Sequence, residues 1–188
     1  MITDRWVAID FETATREPTS ACALGVAVVE DLEVVRVESW LIKPPYNEYE
    51  FWNTKVHGIS AEDTELAPEF DEIWWEVSAL IDGAPLLAHN ASFDMRVLGS
   101  LITSRELTAP EYDYACTVAM ARGAWPHLPK HKLDVVCDAC GIGLMHHDAA
   151  SDAEACARVA IACAEHTNRP SVTEALEALG IGVRSLAR

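Results

Sequence analysis

Positive charge is what this 188-residue chain has least of: 14 lysines and arginines stand against 30 aspartates and glutamates, a formal net charge of −16. That balance excludes a protein that coats long nucleic acid, because such binding draws its affinity from many cations neutralising many phosphates. Long apolar runs are missing as well. No stretch of about 18 residues lacks charges, and Asp4 and Arg5 stand where a secretory signal needs apolar residues, so a soluble cytoplasmic protein without membrane association is expected. No internal repeat or low-complexity tract stands out. The six cysteines, Cys22, Cys116, Cys137, Cys140, Cys156 and Cys163, are scattered among apolar residues instead of framing short loops. This argues against a disulfide scaffold and for reduced, mostly buried thiols. Cys137 and Cys140 have zinc-pair spacing and precede His146 and His147. Leu133, Val136, Cys137 and Cys140 nevertheless recur at helical spacing, and a buried helical stripe is the stronger reading.

What the chain does have is apolar mass, 50% of its residues, enough for one compact domain. Trp6 to Phe11, Cys22 to Val29 and Val34 to Ile42 read as three strands of an antiparallel meander. Pro44 and Pro45 break the pattern, and the segment to about Ser60 has no clear periodicity, so it is expected to be a structured surface loop. Phe70, Ile73, Trp74, Val77, Leu80 and Ile81 predict an amphipathic helix ended by Gly83 and Pro85, its tryptophans belonging to the core. Leu86 to His89 is a short strand, and Asn90 is placed to cap a helix with Met95, Leu98 and Ile102 on its apolar face. Further helices are expected at Thr117 to Gly123, Leu133 to Cys140 and Ala149 to His166. The sum is an α/β fold, a mixed sheet flanked by helices. Ser171 and Glu174 form a capping-box signature for a last helix through Leu179, after which the tail folds back or docks a partner.

Three places carry chemistry. Asp10 and Glu12 end the first strand two residues apart, so their carboxylates share one face, a costly arrangement unless a cation lies between them. Thr13 follows, placed to cap the turn or touch a substrate. Asp94 sits in the first turn of the helix after the second motif, His89-Asn90-Ala91-Ser92-Phe93-Asp94, with Phe93 beside it as a stacking surface for a base. In the third, His147 and Asp152 converge best if the histidine lies in a loop and the acid on the helix that follows. Each has an ordinary reading taken singly: a solvated strand edge, a first-turn charge favouring the helix dipole, a capping residue.

Together, Asp10-Phe11-Glu12-Thr13, His89-Asn90 with Phe93-Asp94, and His147 followed by Asp152 resemble the DEDDh exonuclease family over about residues 4 to 166. Val56-His57-Gly58-Ile59-Ser60 is similar to a loop of its proofreading epsilon-type members, and Lys132-Leu133-Asp134 with Gly141-Ile142 to their approach to the third motif. The resemblance implies a ribonuclease H-like fold in residues 1–168, followed by a short helix and tail in 169–188. It implies 3′ to 5′ hydrolysis that releases nucleoside 5′-monophosphates with two divalent cations, Mg²⁺ with Mn²⁺ as a substitute. By family pattern Asp10, Glu12, Asp94 and Asp152 are the metal ligands and His147 the general base. Thr13, Val56, His57, Asn90 and Phe93 are the substrate contacts, with Asn90 belonging to the second motif.

The expected partner is a nucleic-acid 3′ end, DNA in preference to RNA because of the epsilon-like loop, together with a polymerase or repair protein. Two other readings stay open: an RNA-directed trimmer similar to ribonuclease T or oligoribonuclease, and a catalytically silent nucleic-acid-binding module. The oligomeric state is not expressed in the sequence.

Overall fold

Val7, Ala8 and Ile9 are buried on both sides of their strand because β1 (Arg5–Thr13) runs through the middle of a six-stranded sheet. In the computed structural model, which describes residues 3–145 and 147–186, the strand order is β3-β2-β1-β4-β5-β6. β2 (Ala21–Glu30) and β3 (Glu33–Leu41) continue from β1 as the expected antiparallel meander. β4 (Leu86–Ala88) and β5 (Asp113–Cys116) lie parallel to β1, and β6 (Arg184–Ser185) closes the far side antiparallel to β5. The ends of β1, β4 and β5 therefore share one edge of the sheet, the side on which parallel sheets place ligands.

Alternation along β1 divides the core. Val7, Ile9 and Phe11 face α2 (Phe70–Ile81) and α3 (Ser92–Ser104). Trp6 and Ala8 face α4 (Thr117–Ala124), α5 (Leu133–Cys140), α6 (Ala149–His166) and α7 (Val172–Ala178). Asp10 and Glu12, in register with Ala8, thus project toward α6. That helix lies across β1, β2 and β3 on a face of small residues: Ala149, Ala153, Cys156, Ala157, Ala160, Cys163 and Ala164 are all buried. Among the described residues no helix is long and apolar enough to cross a membrane.

Several local expectations differ from the structure. The segment after Pro45 is not a loop throughout: a 3₁₀ turn (Pro45–Asn47) leads into α1 (Phe51–His57), which buries none of its residues and so leaves no apolar stripe to read. Asn90 does not cap α3; it has φ 78°, in the left-handed region, and Ala91 holds the cap position without a side-chain bond. Trp74 is core, as expected of α2, but Trp75 is exposed. Asp148 and Ser171 do cap their helices, accepting from the backbone N–H groups of Ser151 and Glu174. The tail folds back: α7 buries Val172, Ala175 and Leu176, and β6 pairs with Tyr114 and Asp113.

The cysteines are unpaired thiols, and Cys137 is buried in the α5 stripe. Burial pushes the Cys137 and Cys163 thiols up to about 12 and raises Cys140 too. His146 lies outside the described residues.

Candidate active site

Asp10 and Glu12 reach the edge of the sheet with small residues opposite them, Gly25 and Ala23 across the β1–β2 ladder. A register shift between Glu12 and Thr13 bends the strand end there, a common device for aiming a side chain. Gly25 also lets α6 approach: a Cβ built on it would stand 1.8 Å from the Ala149 carbonyl oxygen. The first turn of α6 therefore lies directly against the strand opposite Asp10, and Asp152, buried in that turn, is delivered to the two acids of β1. Ligand atoms of Glu12, His147 and Asp152 all lie within 4.8 Å of one another.

Asp94 arrives from the other layer. It is buried in the first turn of α3, and its Oδ1 accepts from the backbone N–H of Phe11 at 3.0 Å, which fixes it between Asp10 and Glu12 along the chain. The electrostatics record the crowding. Asp10 is raised well above the ordinary carboxylate range, first by burial and then by the charges of Asp94, Glu12 and Asp152. Burial and the same neighbours push Glu12 up to about 8, and burial pushes Asp94 up to about 7. Four carboxylates brought together in this way repel unless a cation or protons intervene.

His147 lies in the turn before α6, as the spacing requires, at φ 67° in the left-handed region, and its backbone N–H donates to Asp152 Oδ2 at 3.1 Å. That bond ties the histidine to the acid five residues on, and an otherwise sparsely populated backbone conformation holds the ring on the cluster.

The remaining sites of expected substrate contact are held with different firmness. Thr13 is buried; its carbonyl accepts from Asn53 Nδ2 at 2.8 Å and is met by His57 Nε2 at 3.2 Å. His57 Nδ1 accepts from the backbone N–H of Ile59, so Nε2 carries the proton and donates to Thr13. Burial lowers its pKa, the bond to Thr13 works against that, and the neighbouring His147 adds a smaller lowering. With both ring nitrogens engaged, His57 offers a substrate only its ring face. Val56 is exposed, Phe93 is half-buried against the core, and Asn90 stands exposed at the end of β4 with its Oδ1 3.4 Å from Ser92 Oγ. His89 is turned inward, its ring nitrogens on Thr117 Oγ1 and the His131 carbonyl.

Two residues that the sequence did not single out shape the site. Asn53 locks the end of β1 through Thr13, and Gly25 sets the depth of α6. Asn53 carries no local signal. Gly25, inside an otherwise apolar strand, carries the mark of a close backbone approach.

The exonuclease family model RNase_T matches residues 7–160. The PolC-type DNA polymerase III of Thermotoga petrophila is 28% identical over 175 residues, 92% of this chain but 13% of that protein, so the chain corresponds to a small part of such a relative's length. Among solved structures, Exonuclease X in complex with 5′ overhanging duplex DNA superposes with a TM-score of 0.72, at 21% identity and covering 93% of this chain and 99% of that one. The nuclease domain of 3′hExo, a DEDDh family member, bound to rAMP, gives 0.74 at 16% identity, over 97% and 96%.

Proposed function

This chain belongs to the DnaQ-like family of 3′-5′ exonucleases, and on that premise we propose that it removes nucleotides one at a time from single-stranded or frayed 3′ ends of DNA, releasing nucleoside 5′-monophosphates. The observation that carries the reading is the convergence of Asp10 and Glu12 with Asp94 and Asp152, distant from them in sequence, with His147 at their side.

The donor set fits divalent cations. It is made of carboxylate oxygens with no thiolate, suited to hard ions such as Mg²⁺, with Mn²⁺ able to replace it. We assign Asp10, Glu12, Asp94 and Asp152 as the residues that would hold two such ions. Bound there, the ions would supply the positive charge that lets the four acids ionise together and would offset charge developing on the phosphoryl group. The chain's own residues do the rest. His147, in a turn and not on the helix, takes the proton from the attacking water, a role to which a near-neutral imidazole is suited. Thr13, its backbone fixed by Asn53 and His57, presents the strand end to the terminal sugar, while the His57 ring, Val56 and Phe93 flank the last bases. Phe11 N–H keeps Asp94 aimed into the cluster.

DNA is favoured over RNA by the relationship to a DNA polymerase and by the likeness to an exonuclease bound to DNA. The same relationship makes a replicative polymerase the preferred partner. The rAMP-bound neighbour favours the other substrate, so the deciding assay offers equal amounts of 3′-labelled DNA and RNA single strands with Mg²⁺. Faster release of deoxynucleotides is expected, and faster release of ribonucleotides reverses the preference. Asp10→Ala is expected to abolish both. If the wild-type chain releases no mononucleotide with either ion, or the variant releases as much, the catalytic reading is wrong and a silent binding module takes its place.

A further inference from the structure

The edge of the sheet that bears the acid cluster continues past β4 to β5, and there the molecule opens a second concavity of about 490 Å³. Its walls are the start of α3 at Asn90–Ser92, the end of β5, the exposed side of α4 with Arg122, and the returning tail with Gly182 and Arg184. No aspartate or glutamate lines it, in a chain with 30 of them. Among the described residues, Arg5, Arg16, Arg36, Arg105 and Arg158 are each paired with a carboxylate. Of the four described arginines without such a partner, Arg96, Arg122, Arg169 and Arg184, two line this one cavity, although acids outnumber cations two to one.

Two arginines in the wall of one cavity, with a helix start opening on it and no carboxylate beside them, suit a receptor for anions. Its position says which. β1, β4 and β5 are hydrogen-bonded neighbours running in the same direction, so the end of β5 is two strand spacings, about 10 Å, from the end of β1 that bears Asp10. Asn90 stands on the rim of the cavity, four residues before Asp94, and forms the step between the two places. We propose that Arg122 and Arg184 form a strand-guiding subsite that binds the phosphodiester backbone of the substrate a few nucleotides 5′ of the bond being cut. The subsite rests on the exonuclease reading and adds to it a length dependence: short substrates end before they reach it.

The test is the double variant Arg122→Gln, Arg184→Gln in the full chain. On a single strand of about ten nucleotides, well within the reach of such grooves, KM is expected to rise about five- to tenfold with kcat unchanged. On a dinucleotide neither constant should move. The slope of log(kcat/KM) against log salt should flatten by about 1.4, two contacts at about 0.7 each for a single strand. An equal effect on both substrates, or an unchanged salt slope, overturns the proposal. Should wild-type protein cleave neither substrate, the exonuclease reading fails first, and the subsite is judged separately by fluorescence anisotropy with the labelled ten-nucleotide strand. Weaker binding by the double variant sustains it there, and equal binding removes it. Inhibition by inorganic phosphate that disappears in the double variant, without any dependence on substrate length, makes the cavity a free-anion site and also overturns the strand assignment.

Discussion

Asp94→Asn should make the protein more stable and less active in the same stroke. The side chain is buried, so ionising it is costly, and its pKa rises from 3.8 to about 7. The difference, 7 − 3.8, is about 3, and at about 1.4 kcal/mol for each it corresponds to a ceiling of about 4 kcal/mol lost when the metal-free protein is taken above neutral pH. Asparagine keeps the shape and can still accept from Phe11 N–H, so the exchange removes the charge and little else. For a chain of this length 1 kcal/mol moves Tm by about 2–4 °C, and if relaxation around the cluster absorbs half of the ceiling, a rise of about 4–8 °C remains. The sign with pH is fixed by linkage. The folded-state pKa is the higher one, so between about pH 4 and 7 the native state holds the extra proton and the wild type loses stability as pH rises. The gap between variant and wild type should therefore open across that window and level off above about pH 7. Thermal unfolding by circular dichroism in EDTA reads it directly, and a second series with Mg²⁺ should stabilise the wild type far more than the variant. A variant no more stable than wild type in EDTA above neutral pH, a gap independent of pH, or equal gains from Mg²⁺ would refute the view that these acids are held together at a cost.

Two other substitutions probe separate parts of the site. His147→Ala should lower kcat by about 10²–10⁴-fold while Mg²⁺ binding, followed by calorimetry, stays close to wild type; a large loss of metal affinity would make the histidine a ligand instead of a base. Gly25→Ala drives a methyl group into the Ala149 carbonyl, so α6 must lift, at a cost of about 1–3 kcal/mol in stability. It should also take away most activity through Asp152, and full activity in this variant would show that the depth of α6 does not matter.

How much was readable from the sequence depended on whether the signal was local. Asp10 and Glu12 show their common face by a spacing of two, α2 shows itself by apolar residues at helical intervals and α6 by its richness in alanine, so the strand end, the two helices and the turn bearing His147 were legible. α1 was not, because Phe51, Trp52 and Val56 are exposed and the helix buries nothing, which leaves no periodic pattern. β5 has one buried residue in four, and β6 is two exposed residues, so neither alternates enough to be seen. The bond from Asn53 to Thr13 and the meeting of Arg122 with Arg184 span 40 and more positions and exist only in the folded chain.

The alanine-lined side of α6 sets an unusual rule for which changes the protein can absorb. Where large side chains fill a core, truncation does the harm; here Ala149, Ala153, Ala157, Ala160 and Ala164 have little left to lose, and it is enlargement that does damage. A single added methylene anywhere along that stripe props the helix away from the sheet it must lie against to deliver Asp152. Sequence drift on this helix should consequently run freely on its solvent side and hardly at all toward bulk on its inner one, so that the fold could persist in descendants whose chemistry had already been pried apart.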